Sequence, residues 1–200
     1  MKKSGKKDAL NGKDLMTVGI FTAVYFILNL IIAVALGLIP MVSTMIPFVS
    51  ALILGIPMML YFTKIKKFGM ILITFIIYGI FLALAGVGVY TLIFGTIGAL
   101  FAELIIRSGK YQSANKTILA YAVASIGANA NVLQMAFASQ EYLERTAATY
   151  GAEYTQMISR LYSDWWYLPV ILISAFIGGL LGGYFGKAVL KKHFLKSGLV

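Results

Sequence analysis

Residues 139–166 read SQEYLERTAATYGAEYTQMISRLYSDWW. This is the one long polar interval between apolar segments. It holds four of the seven acidic residues: Glu141, Glu144, Glu153 and Asp164. Leu143, Ala147, Tyr150 and Tyr154, then Ile158 and Leu161, recur at helical spacing, and Gly151 divides the run. No apolar stretch inside it is long enough to cross a bilayer. The expectation is one or two short amphipathic helices lying across the end of a helical bundle.

Outside this interval the chain is apolar. Of 200 residues, 60% are hydrophobic and 12% charged. A soluble domain of this size cannot hide that much apolar surface, so the composition is that of an integral membrane protein. The net charge of +10 reads as membrane topology rather than nucleic-acid binding, because basic residues are retained on the cytoplasmic side. There is no cysteine, which excludes disulfides and thiolate chemistry. The single histidine, His193, lies in the basic tail 191–200.

A basic leader, residues 1–14, carries Lys2, Lys3, Lys6, Lys7 and Lys13, and Asn11 is placed to cap the first helix. Six spans are expected, near 15–38, 42–62, 68–84, 90–106, 117–138 and 165–190. Gly19 and Ala23 share one face of the first, where a partner helix can approach closely. Asn29 sits mid-helix, with an interhelical hydrogen bond as its first expected role. Pro47 and Pro57 imply kinks or a late start in the second. Glu103 and Arg107 are spaced for an ion pair in the fourth. The fifth carries Asn129, Asn131 and Gln134. On a continuous helix Asn131 and Gln134 share a face and Asn129 points away. Gly178, Gly182 and Gly186, with Gly179 and Gly183 beside them, mark the sixth for tight packing.

With the N-terminus inside, fifteen of the seventeen Lys and Arg residues fall on cytoplasmic segments. Only Arg145 and Arg160 lie outside. Both termini are then cytoplasmic, and the loop 139–164 is extracellular. The whole chain forms one membrane domain in the cell membrane.

No span contains histidine, cysteine or a carboxylate pair, and no phosphate loop of the Walker type is present. Enzyme catalysis, a metal site and autonomous ATP use are therefore not expected. The outer side instead gathers amides, carboxylates and rings, a set suited to a small polar or heteroaromatic solute. The expected contacts are Tyr90, Asn131, Gln134, Asp164, Trp165 and Trp166. Trp165 and Trp166 fit an interfacial aromatic belt as well as a stacking platform. A self-contained carrier or channel, and a non-transporting assembly factor, are the alternatives.

Several motifs carry a resemblance over nearly the whole chain: Asn11-Gly12-Lys13-Asp14-Leu15, Gly19-Ile20-Phe21-Thr22-Ala23, Gly55-Ile56-Pro57, Lys64-Ile65-Lys66-Lys67-Phe68-Gly69 and Ala102-Glu103-Leu104-Ile105-Ile106-Arg107-Ser108-Gly109-Lys110-Tyr111. In their order and spacing the chain resembles a substrate-binding S component of an energy-coupling factor (ECF) transporter, of the Trep_Strep subgroup. The resemblance implies a bacterial plasma-membrane protein of six helices that binds a vitamin-like micronutrient from outside. It implies as partners a membrane coupling protein and two cytoplasmic ATPases, which use the ATP. It implies toppling in the membrane, with Gly19 and Ala23 on the surface that meets the coupling protein. It also implies a pocket built mainly from helices four to six and the outer loops.

Overall fold

The computed structural model describes residues 10–64 and 66–197. The expectations for Lys2, Lys3, Lys6 and Lys7 in the leader fall outside the described residues. The chain is helical: α1 (Gly12–Gly37), α2 (Pro40–Ser43), α3 (Ile46–Lys64), α4 (Met70–Leu84), α5 (Tyr90–Ser108), α6 (Ala114–Ala128), a 3-10 turn Ala130–Val132, α7 (Leu133–Ala136), α8 (Gln140–Tyr150), α9 (Ala152–Ser163), α10 (Tyr167–Val189) and α11 (Lys191–Ser197). Among the described residues there is no strand.

Local chemistry sets the ends. Asn11 accepts from the Asp14 N–H and Asp14 accepts from the Asn11 N–H, a reciprocal cap that starts α1. Pro47 lies in the first turn of α3, where its missing N–H costs no helical bond, whereas Pro57 is interior. Pro169 likewise falls in the first turn of α10. Gly151, at φ +94, separates α8 from α9, a backbone conformation that glycine adopts without a Cβ penalty.

Among the described residues, five stretches are long and apolar enough to cross a membrane: α1, α3, α5, the run Ala114–Ala136 and α10. The remaining apolar helix, α4, has fifteen residues and spans roughly 22 Å at 1.5 Å per residue. That falls short of the roughly 30 Å hydrocarbon layer. Cross-helix contacts give the directions. Asn29 meets Ser50, Tyr25 meets Tyr78, Gly79 meets Leu92 and Gly127 meets Gly95. Accordingly α1, α4 and α6 run one way and α3, α5 and α10 the other.

The core is set by glycine. A Cβ on Gly182 would lie 2.4 Å from the Leu52 carbonyl oxygen, and one on Gly178 2.4 Å from that of Phe48. On the neighbouring face, Cβ atoms on Gly179 and Gly183 would meet Ala122 Cα at 2.7 Å and Ile118 Cγ2 at 2.8 Å. Thus α10 is wedged between α3 and α6 by two glycine stripes, at backbone separations that no larger residue permits. Close packing of this kind holds helices together where lipid removes the hydrophobic drive.

Two expectations are corrected. Glu103 forms no ion pair with Arg107. It is 0% exposed, and its Oε1 accepts the Ile71 N–H at 2.7 Å and the Leu72 N–H at 3.4 Å. It therefore caps α4 from α5, taking backbone donors that a helix start leaves unpaired. Arg107 instead lies over the Phe68 ring, 5.5 Å from its centroid. Second, Trp165 and Trp166 form the turn between α9 and α10 and are not on a helix face.

Candidate functional site

The fifth apolar run is not one continuous helix. α6 stops at Ala128, Asn129 serves as its cap, and the chain continues through a 3-10 turn into α7. This overturns the expectation that Asn129 and Asn131 face opposite ways, because that geometry requires an unbroken 3.6-residue repeat. The break brings both amides to one cavity.

That cavity has a volume of about 140 Å³ and takes polar lining from Asn29, Tyr78, Asn129 and Asn131. Phe26, Leu30, Ile46 and Leu82 supply apolar walls. The polar groups are prearranged. Asn29 donates through Nδ2 to the Tyr78 hydroxyl, and its Oδ1 accepts from Ser50 Oγ at 2.7 Å. Asn29 thus makes the expected interhelical bonds, tying α1 to α3 and α4, and also forms wall. Asn129 donates through Nδ2 to the Ser125 carbonyl at 2.9 Å, which leaves its Oδ1 as an acceptor. The cavity lining carries no Asp, Glu, Lys or Arg.

Asn131 and Ile46 also line a second space of about 160 Å³, directly under the polar interval. Its other walls include Tyr142 from α8, Tyr154 and Tyr162 from α9, and Ser43 at the end of α2. Burial pushes the Tyr142 and Tyr162 phenols above the ordinary tyrosine range, so both keep their O–H. The interval is fastened over this space at two points. Arg145 donates to the Gly86 carbonyl at 2.8 Å, and the Tyr154 hydroxyl donates to the Gly37 carbonyl at 2.9 Å. Thr155 and Ile158 are the buried residues of α9.

The expected contacts do not form one cluster. Asn131 lies between the two spaces. Gln134 lines a separate cleft of about 270 Å³ with Tyr142 and Arg145, its Oε1 against Gly88, where a Cβ would come within 2.3 Å. Tyr90 packs between Phe94 and Phe137, with ring centroids at 6.4 and 6.5 Å. Asp164 is exposed, Trp165 is 86% exposed and Trp166 48%. None of these last four lines the two spaces.

Asn29 was visible as a mid-span amide. Tyr154 and Ile158 belonged to the expected amphipathic face, whereas that reading continued to Leu161 and the structure turns Tyr162 inward instead. Tyr78 gave no such signal, since one tyrosine in an apolar helix is ordinary.

Gly19 and Ala23 lie on an exposed face of α1, and nothing stands within 4 Å of a Cβ built on Gly19.

The family described as hypothetical bacterial integral membrane protein (Trep_Strep) matches residues 12–196. Neither a curated protein nor a solved structure matches the chain.

Proposed function

The chain belongs to the Trep_Strep family of bacterial integral membrane proteins, and from that premise we propose that it is the solute-binding S component of an ECF transporter. In this reading six helices span the membrane, α4 being a short span seated among longer neighbours. The end bearing Lys64, Lys116 and Lys187 faces the cytoplasm. The α8–α9 interval is then the outer lid.

The observation that carries the reading is the charge-free amide cavity, which shares Asn131 and Ile46 with the space under the fastened interval. Its size suits one small solute: a cavity of about 150 Å³ holds a single benzene ring. A charged ligand placed there without a counter-charge loses its hydration uncompensated. The proposed cargo is therefore an uncharged, one-ring micronutrient of vitamin type whose amide, carbonyl or hydroxyl edges pair with Asn129, Asn131 and Tyr78. Asp164 lies outside the cavity and supplies no counter-charge there. Tyr90, Asp164, Trp165 and Trp166 belong in this scheme to the entry side, and Gln134 to the support of the Gly88 turn.

The chain has no means of its own to harvest ATP. The open Gly19–Ala23 face of α1 is the proposed seat of a coupling protein, with two ATPases beneath it. Solute binding outside, toppling, release inside and ATP-driven resetting complete the cycle.

Mass spectrometry of solute co-purified with the protein tests the reading. An uncharged small molecule is expected from the wild type and lost from Asn131→Ala, with melting of the empty protein unchanged. Recovery of no solute, together with no thermal stabilisation by any uncharged one-ring micronutrient, would overturn it.

A further inference from the structure

At the end of the bundle away from the lid, two turns meet. One joins α3 to α4 and the other joins α5 to α6. Between them lies a cleft of about 440 Å³ lined by Lys66, Lys67, Phe68, Arg107, Lys110 and Tyr111. Four of these six are cations and none is an acid. Asp14 bonds Lys67 Nζ at 2.6 Å, while Glu103, one turn before Arg107, is buried in the bundle, where its Oε1 accepts the Ile71 and Leu72 N–H groups.

Membrane topology accounts for cations at this end of the protein. It does not account for four of them sharing one concave surface, because like charges repel and topology is served equally by solvated positions such as Lys191 and Lys192. The backbone also bends to assemble the cleft. Lys110 and Tyr111 both have positive φ, +51 and +56, the left-handed region that costs a non-glycine residue roughly 1 kcal/mol. The Tyr111 N–H returns to the Ile106 carbonyl at 3.2 Å, so this left-handed turn ends α5 and sets Lys110 and Tyr111 on the cleft wall. Arg107 is held over the Phe68 ring, which fixes its planar donors at the last turn of α5.

We propose that this cleft binds a phosphate group, carried by an anionic phospholipid headgroup or by a soluble phosphate. Arg107 offers paired N–H donors to two phosphate oxygens, and Lys110 adds a point charge. The ends of α3 and α5 lie where a spanning helix leaves the hydrocarbon, at headgroup depth. Basic pockets between helices at that depth suit lipid phosphates.

The test uses the full chain in a neutral detergent, with native mass spectrometry during titration with phosphatidylglycerol or phosphatidylcholine. Thermal melting with inorganic phosphate forms a second arm. Arg107→Gln/Lys110→Gln is compared with Lys187→Gln/Lys191→Gln, which removes the same charge from the same end. Wild type and control are expected to retain phosphatidylglycerol over phosphatidylcholine. The cleft variant is expected to bind it about tenfold more weakly, the loss of one charge-assisted contact or more. A response to inorganic phosphate that the cleft variant alone loses would assign the site to a soluble ligand. Lys110→Gln alone, an exposed change, serves if the double variant does not fold. Equal losses in cleft and control variants would overturn the proposal, as would indifference to both phosphatidylglycerol and phosphate.

Discussion

Two helices carry the same small-residue spacing and use it in opposite ways. In α10, Gly178, Gly182 and Gly186 press against α3, and Gly179 and Gly183 against α6, leaving no room for a methyl group. In α1, Gly19 and Ala23 face outward and Gly19 has nothing within 4 Å of its missing Cβ. One stripe is consumed in folding this chain and the other is left open. A small-xxx-small pair therefore announces only that a close approach is permitted. Which helix makes it, and whether that helix belongs to the same chain, is settled by the rest of the fold. The manner of attachment follows the same division. α10 is locked by backbone contact along its length, whereas α1 is held by side chains, the Phe21 ring on Tyr61 and Tyr25 on Phe75 and Tyr78, with polar bonds from Asp14 to Lys67 at one end and from Asn29 to Tyr78 and Ser50 near the cavity.

Substitution at the seam has the largest expected effect. Gly182→Leu forces α3 and α10 apart and is expected to cost about 3 kcal/mol or more, seen as a collapse of the monodisperse fraction and of the melting temperature in detergent. Unchanged melting would show that α10 is held as loosely as α1, and the contrast would be lost.

Asn29→Ala is expected to cost about 1 kcal/mol, the scale of hydrogen bonds between helices in a bilayer. Hydrogen exchange should rise in α1 and around Tyr78 while the α3–α10 seam stays protected. Equal loosening of both regions would mean that α1 and α10 unfold as one unit, which sharpens where the division lies.

The smallest effect on stability belongs to Gly19→Leu, within about 0.5 kcal/mol of wild type, as for an exposed change that meets no neighbour. Its consequence is expected in assembly: pull-down of the coupling protein and ATPases should weaken strongly. Intact assembly would leave that face of α1 to lipid alone.

Much of this was legible along the chain. Asn11 and Asp14 signalled the start of α1, and Gly151 the division of the lid. The bias of lysine toward one set of turns agrees with the bundle, in which every described lysine lies at the end away from α8 and α9. The cavity was less legible. Its amides were visible, but the break at Asn129 that joins Asn129 to Asn131 has no proline or charge to mark it, only Gly127-Ala128-Asn129-Ala130. Glu103 was misassigned because Arg107 is its neighbour along the helix, whereas the first N–H groups of α4 are its neighbours in space. The aromatic turn at Trp165 and Trp166 drew attention by composition, yet it lies on the surface and lines neither of the two spaces.

The sequence by itself determined that this is a helical membrane protein, which stretches are apolar, which turns are basic and where the polar interval falls. Those features follow from composition and short-range periodicity, which act through solvent and through neighbours within a turn or two. Only the tertiary structure decided which glycine stripe is filled, which carboxylate caps which helix, and which amides share a cavity. Each of those depends on groups from distant parts of the chain competing for the same few ångströms. Local spacing fixes where a side chain points and leaves open what it meets.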